Sequence, residues 1–218
     1  GIGGVLDVPA LSKAIDSIVQ RHESLRSTFA VQADQPVLVV NPGSDIALNC
    51  IDLPAADEAS LQQRIDQLAE ESFDLQKGPL FRAQLIRMHA ENHVLILTLH
   101  HIIADGWSLN ILFQELVSFY EEYSHGQPAQ LPDFGIQYAD YAAWQRAWLV
   151  GDAMLEKAGY WKQQLADAPP KLELLTDRPR PSVQTYNGAR VSKCTASSLV
   201  PEVTQLAREQ GCTLYMVM

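Results

Sequence analysis

Two adjacent histidines, followed by an aspartate and a glycine, are the residues of this sequence best suited to chemistry. They are His100, His101, Asp105 and Gly106, in the order His-His-x-x-x-Asp-Gly. Imidazole titrates near neutrality and can take a proton from an oxygen or nitrogen nucleophile, and a glycine lets a ligand approach the backbone closely. A second interpretation is that both histidines are hydrogen-bonded core residues and that Asp105 caps a helix. Because ordinary amino-acid usage yields this pattern at a given position about once in a million, we predict a functional motif.

The motif lies where a predicted strand gives way to a predicted helix. Residues His93–His100 are apolar on both faces, which predicts a central strand covered on both sides. Apolar residues at helical spacing predict a helix over 108–123, with Ser108 placed to cap it and Gly126 to end it. If the strand geometry persists to its end, one histidine faces the core and the other a cleft. Asp105 then returns to the N-terminus of the helix, where an anionic group can be held.

Helix and strand patterns alternate through the rest of the chain. Asp7 and Pro9 begin an amphipathic helix over about 8–23, and a second helix containing Leu61–Phe73 is stopped by Gly78-Pro79. The remaining predicted elements are a hairpin of 27–32 and 36–40, a strand over 80–88, helices over 136–149, 153–166 and 199–210, and a short strand near 189–195.

Four prolines make residues 168–187 an extended crossover rather than a helix or core strand. We therefore predict a lobe over residues 1–167, the crossover over 168–187, and the truncated beginning of a second lobe over 188–218. The predicted fold class is α/β, an α+β two-layer sandwich in which helices flank a mixed central sheet that is incomplete in this chain.

Composition excludes several classes of function. The formal net charge of −10, from 26 acidic and 16 basic residues, argues against a nucleic-acid partner. The longest nearly apolar run falls well short of the roughly 20 residues that cross a bilayer, so no membrane partner is expected. Three cysteines without a Cys-x-x-Cys pair predict reduced, buried thiols, no metal site and a cytoplasmic protein.

Four segments together resemble the condensation domains of non-ribosomal peptide synthetases. His-His-x-x-x-Asp-Gly, extended by Trp107-Ser108, is similar to the signature of these domains, which related acyltransferases of the chloramphenicol acetyltransferase-like fold share. Arg21–Phe29 resembles the second core motif, with Ser27 where threonine is usual. Tyr138–Trp144 resembles the fourth, with Ala143 where valine is commoner, and Asp177–Pro181 resembles the linker of the subgroup that joins an L-configured donor to an L acceptor.

The resemblance implies a chloramphenicol acetyltransferase-like lobe and peptide-bond formation. The donor is an acyl or peptidyl thioester and the acceptor an aminoacyl thioester. Upstream and downstream peptidyl carrier proteins would present both on phosphopantetheine arms, next to an adenylation domain, and no cofactor would bind to the chain directly. These substrates would meet in a tunnel between two lobes.

Roles for individual residues follow from the same resemblance. His101 matches the catalytic position, which His100 supports. Asp105 matches a carboxylate held in a salt bridge, and Gly106 a backbone position close to the reacting groups. Arg26 is expected in the structural network near the site, and Trp107 is also expected to be a structural residue near the site.

Three alternatives stay open at this point. An epimerisation domain or another acyltransferase can carry the same motif, and a chain holding one lobe can be a non-catalytic module that binds carrier proteins. Because the resemblance places the active site between two lobes, residues 1–218 alone are expected to be inactive. Outside the motif, His22 is expected to be structural and His89 and His93 to be exposed. Aromatic residues at helical spacing are expected in the core, namely Tyr138, Tyr141, Trp144, Trp148 and Trp161.

Overall fold

A computed structural model describes residues 1–43, 46–54, 57–126, 128–129, 131–169, 175–185, 188 and 191–218. Helices and strands follow one another in the order β1 (Ile2–Gly3), α1 (Val8–Arg21), β2 (Ser27–Gln32), β3 (Gln35–Val40), β4 (Leu48–Asp52), α2 (Glu58–Glu70), β5 (Phe81–His89), β6 (Asn92–Leu99), α3 (Gly106–His125), α4 (Tyr138–Trp148), α5 (Asp152–Gln164), α6 (Leu199–Glu209) and α7 (Leu214–Val217). They belong to two compact units, Gly1–Leu165 and Ala166–Met218.

A four-stranded mixed sheet is the frame of the first unit. Its strand order is β1-β6-β5-β4, in which β6 runs antiparallel to both neighbours and β5 runs parallel to β4. β2 and β3 form a separate hairpin, and its two turn residues, Ala33 and Asp34, have the positive φ angles of a two-residue hairpin turn. The mixed sheet with flanking helices confirms the predicted fold class, whereas β4 is a strand that the sequence did not reveal.

The core of the first unit joins α1, α3 and the sheet. Asp7 is the N-cap of helix α1, and its carboxylate accepts a hydrogen bond from the backbone N–H of Ala10 at 2.9 Å, as the sequence predicted. Fully burying an aliphatic or aromatic side chain contributes about 1.5–3 kcal/mol. Deeply buried side chains of the cluster include Ile15, Ile18 and Val19 from α1, Leu80 just before β5, and Phe81 and Leu85 from β5, with Leu112 and Leu116 added by α3.

The apolar sequence of β6 predicted a central strand that is covered on both sides. Strand β6 is central in the sheet, but it is not covered in this way. Leu95, Leu97 and Leu99 pack against the core cluster, yet all three are only half-buried, as are Val94 and Ile96. The strand that contributes buried side chains is instead β5, where Phe81, Ala83 and Leu85 belong to the same core cluster as the buried residues of α1, although its last residues, Arg87 and His89, are exposed. The described residues of the first unit thus leave the side chains of β6 only partly covered.

The predicted end of the second helix is wrong, and the described part of the strand predicted near 189–195 is not a strand. Helix α2 ends at Glu70, well before Gly78-Pro79, because residues 71–80 form an irregular segment that leads back to β5. Residues 191–195 form no strand, since they pair with no other strand among the described residues, and residues 189–190 lie outside that part of the chain.

Several burial predictions are also wrong. All three cysteines are free but exposed: Cys50 lies on the edge strand β4, and Cys194 and Cys212 lie in the second unit, in which Ala207 is the one buried residue that the structure describes. His93 was expected to be exposed but is buried, with 3% of its surface exposed, because it lies between Ile2 of β1 and Arg87 of β5 in the sheet. His89 is exposed, as expected.

The aromatic residues of α4 and α5 do not lie in the core. Tyr138, Tyr141, Trp144, Trp148 and Trp161 are all exposed. The first four form a row along α4, with ring centroids 6.1, 5.7 and 5.7 Å apart. Helical spacing correctly placed them on one face, but the described residues of the first unit do not cover that face.

Candidate active site

The two histidines of the motif lie in a tight turn between β6 and α3. The strand ends at Leu99, so the alternation of strand side chains does not reach them. The backbone N–H of His100 donates to the Leu80 carbonyl at 3.0 Å, and the N–H of Ile103 donates back to the His100 carbonyl at 3.1 Å. His100 is half-buried and His101 is exposed. One histidine is therefore more buried than the other, as expected. The cause is the geometry of the turn and not the alternation of side chains along a strand.

Asp105 is the N-cap of α3, a position that the sequence had given to Ser108. Its carboxylate accepts hydrogen bonds from the Ser108 hydroxyl at 2.7 Å and the Ser108 backbone N–H at 2.9 Å, while the Asp105 N–H donates to that hydroxyl at 3.3 Å. The donated bonds from the Ser108 hydroxyl and backbone hold the pKa of Asp105 below its usual value. Among the described residues Asp105 forms no ion pair, so the salt bridge implied by the family resemblance is not formed there.

Gly106 is the first residue of α3 and faces open space. A β-carbon built on it would meet no atom within 4 Å. The fold of the described residues therefore does not require a glycine here, which leaves room for a ligand beside the backbone. Trp107 follows it on the helix and is 79% exposed.

Arg21 and His22, rather than Arg26, connect the second motif to α3. They meet Glu115, a carboxylate on α3 that is only 6% exposed. Arg21 Nε lies 3.2 Å from Glu115 Oε1, and His22 Nε2 lies 2.6 Å from Glu115 Oε2. His22 is thus a hydrogen-bonded structural residue, as predicted.

The same two side chains also bind the segment that leads into α4. The Arg21 guanidinium lies 4.0 Å from the centroid of the Phe134 ring and donates to the carbonyl of Pro132. The His22 ring packs on Phe134 at 4.9 Å, and Gln137 donates to the Arg21 carbonyl at 3.1 Å. Arg21 and His22 therefore hold together the end of α1, the middle of α3 and the start of α4.

Arg26 lies at a different place. Its guanidinium donates to the Asn41 carbonyl at 2.6 Å and lies 3.5 Å from the Glu23 carboxylate, which ties the start of β2 to the end of β3. It also lines an open cavity of about 410 Å³ together with Leu80, whose carbonyl binds His100. The structure shows no contact between Arg26 and Asp105.

A smaller cavity lies between the turn that contains His101 and the segment Arg21–Phe29. It has a volume of about 110 Å³, and its lining includes His22 and Leu25 on one side and Ala104 and Ser108 on the other. The two motifs, distant in sequence, thus face the same space.

Sequence reasoning did not find Glu115. The signal that could have found it is a charged residue within an apolar helical stripe, between Leu112 and Leu116. A carboxylate in such a position is buried only when it is paired.

No group of His, Cys, Asp and Glu in the described part of the chain is arranged to hold a metal ion. None of the described helices is both long and apolar enough to span a membrane. Asp177–Pro181 is exposed and has no regular secondary structure.

Known proteins match this chain over its full length. A family model described as "Condensation domain" matches residues 1–218. One of the linear gramicidin synthase proteins of Brevibacillus parabrevis is 42% identical over 221 residues, a match that covers 100% of this chain and 4% of that protein. The chain thus corresponds to a small part of this much longer relative.

Solved structures share the fold. The X-domain from teicoplanin biosynthesis superposes with a TM-score of 0.84 at 26% identity, covering 97% of this chain and 47% of that chain. The epimerization domain from the third module of tyrocidine synthetase B gives a TM-score of 0.69 at 27% identity, covering 81% of this chain and 40% of that one. Similar folds therefore occur in domains that bear different names, and the fold alone does not decide the reaction.

Proposed function

Because the chain belongs to the condensation-domain family, we propose that it takes part in forming the amide bond between two thioester-bound substrates during non-ribosomal peptide synthesis. The observation that supports this most directly is the turn at His101. An exposed imidazole lies four residues before a capped helix N-terminus, beside a glycine whose neighbourhood is open.

The proposed reaction needs little activation of either substrate. The acceptor amine attacks the thioester carbonyl carbon, the C–N bond forms and the C–S bond breaks. One proton leaves the nitrogen and one is delivered to the departing sulfur, so the products are an amide and a free thiol. An α-amine has a pKa of about 7.7–8.0, so part of it is neutral at pH 7 without any base.

Alignment is the larger part of the proposed catalysis. General-base catalysis contributes typically about 10²–10⁴-fold, whereas alignment of two tethered reactants contributes roughly 7–11 kcal/mol. His101 would hydrogen-bond the amine and take its proton as the tetrahedral intermediate forms. His100 and Asp105 would shape the turn and the helix start around it, and Gly106 would leave space beside the backbone for the reacting groups. Arg26 would act at a distance, through the hairpin.

The proposed partners are an upstream and a downstream peptidyl carrier protein, whose phosphopantetheine arms carry the substrates, and a neighbouring adenylation domain. The synthase relative is far longer than this chain, which is consistent with such an assembly. The acidic surface argues for protein rather than nucleic-acid partners. Unpaired cysteines support a cytoplasmic location.

An epimerisation domain is not favoured. The family model covers the whole chain, and the gramicidin synthase is nearer in sequence than the epimerization domain is.

His101→Ala tests the proposal. We expect single-turnover dipeptide formation to slow by about 10²–10⁴-fold while some turnover remains, because alignment is retained. The measurement is mass-spectrometric detection of dipeptide from two loaded carrier proteins, with the complete condensation domain that contains these residues. His89→Ala, which replaces an exposed histidine at the end of β5, is the matched control and should leave the rate unchanged. An unchanged rate in His101→Ala would show that His101 is not catalytic.

A further inference from the structure

The ring of His100 is held in place from two sides. Its Nδ1 accepts a hydrogen bond from the backbone N–H of Ile102 at 3.0 Å. Because Nδ1 is the acceptor, the neutral ring carries its proton on Nε2. On the other side, the ring meets Phe73 edge-on, with centroids 5.9 Å apart and an interplanar angle of 86°. The side chain of His100 therefore links the turn that contains His101 to the irregular segment before β5.

Phe73 is in turn held by Arg82. The Arg82 guanidinium lies 4.0 Å from the centroid of the Phe73 ring. It donates to the carbonyls of Glu71 and Ser72, at 2.9 and 2.6 Å, and pairs with the Glu71 carboxylate at 3.2 Å. A planar guanidinium can make these bonds and stack on a ring at the same time, which an ammonium cannot.

Arg82 is itself fixed by the sheet. It lies on β5 opposite Thr98 of β6, two residues before His100. The contacts thus form a closed path: β6 leads through the backbone to His100, the His100 ring to Phe73, the Phe73 ring to Arg82, and Arg82 back to β6.

We propose that Phe73 and Arg82 are positioning residues for the condensation site, and that they fix the His100 ring so that the turn presents His101 in one orientation. This inference rests on the proposed function of His101. Without the Phe73 ring, His100 can change rotamer and release the Ile102 N–H. The turn then samples other conformations, and a misplaced catalytic group lowers the rate without weakening substrate binding.

Phe73→Leu is the first test, with Phe119→Leu as its matched control. Both phenylalanines are partly buried against the same core, but Phe119 lies on α3 and stacks on Tyr123, away from the turn. We expect Phe73→Leu to lower kcat by about 10- to 10²-fold with little change in KM. Phe119→Leu should lose similar thermal stability and keep its kcat.

Hydrogen–deuterium exchange of residues 100–105, measured on the complete condensation domain without substrate, supplies a readout independent of turnover. Exchange of this segment should rise about tenfold in Phe73→Leu and stay unchanged in Phe119→Leu. Phe73→Tyr, which keeps the ring, should restore both kcat and protection. Arg82→Lys keeps the positive charge but loses the planar guanidinium. It should therefore show the same lower kcat and faster exchange as Phe73→Leu.

Equal kcat and equal exchange in Phe73→Leu and Phe119→Leu would overturn the inference. The exchange measurement also separates its failure from failure of the proposed function. If His101→Ala were fully active but residues 100–105 lost protection in Phe73→Leu, the positioning of the turn would hold and the role of His101 would be wrong.

Discussion

The individual residues of the His-His-x-x-x-Asp-Gly motif have different structural roles. His100 accepts a backbone hydrogen bond within the turn, Asp105 caps the helix, and His101 is left with an imidazole that forms no hydrogen bond or ion pair with the described residues. A side chain that the fold does not use is available to a substrate. The structural interpretation of the motif therefore applies to Asp105, while the catalytic role of His101 stays a prediction.

Gly106→Ala tests whether the glycine serves the fold or a ligand. Since an added β-carbon meets no atom within 4 Å and alanine is the better helix former, we expect thermal stability to be unchanged or slightly higher. Condensation should nevertheless slow, because the methyl group fills the space beside the backbone. Thermal unfolding and single-turnover dipeptide formation measure the two effects. Gly159→Ala in α5, where the added carbon also meets nothing, is the control and should keep full activity.

At the scale of elements, a buried carboxylate joins the two sequence motifs. Glu115 holds Arg21 and His22 at the end of α1, and its helix α3 begins at the motif itself. The register of α3 against α1 thus fixes where Asp105 and the turn before it lie. Removing the Glu115 carboxylate is expected to be strongly destabilising, because the Arg21 guanidinium would be left without its compensating charge.

Glu115→Ala should lower the free energy of unfolding by about 3–5 kcal/mol. Chemical denaturation is the measurement, and the double variant Arg21→Ala/Glu115→Ala should lose less than the sum of the single variants because the two residues interact. Glu121→Ala, on an exposed position of the same helix, should change stability by no more than about 0.5 kcal/mol. Equal losses in Glu115→Ala and Glu121→Ala would contradict the role of the cluster.

At the scale of the whole molecule, the site is open. His101 is exposed, and the aromatic row of α4 is not covered by the described residues of the first unit. The solved domains of this fold are about twice as long as the chain, which corresponds to 47% of the X-domain. Alignment of two tethered substrates requires walls on more than one side of the reacting groups.

We therefore expect the 218 residues by themselves to form no dipeptide from two loaded carrier proteins. The same assay, run in parallel with the complete condensation domain, provides the positive control, and circular dichroism confirms that the shorter chain is folded. Dipeptide formed by the folded 218-residue chain at a rate above the background without protein would disprove this expectation.

Local patterns in the amino-acid sequence predicted most helices and strands of the first unit and the position of the candidate site. Periodicity predicted α1, the β2–β3 hairpin, β5, β6 and α3 closely, and the Asp7 cap was also predicted, because these signals act between neighbouring residues. The motif types and their spacing were enough to select His100–Gly106.

The residues that meet across distant parts of the sequence became visible in the packing of the helices and strands. Glu115 with Arg21, and Phe73 with His100, depend on how separate elements pack, which local periodicity does not encode. Burial was misjudged for the same reason. His93 is buried because two strands flank it, and Trp144 is exposed because the described residues of its unit leave the α4 face open, although both residues fit their local patterns.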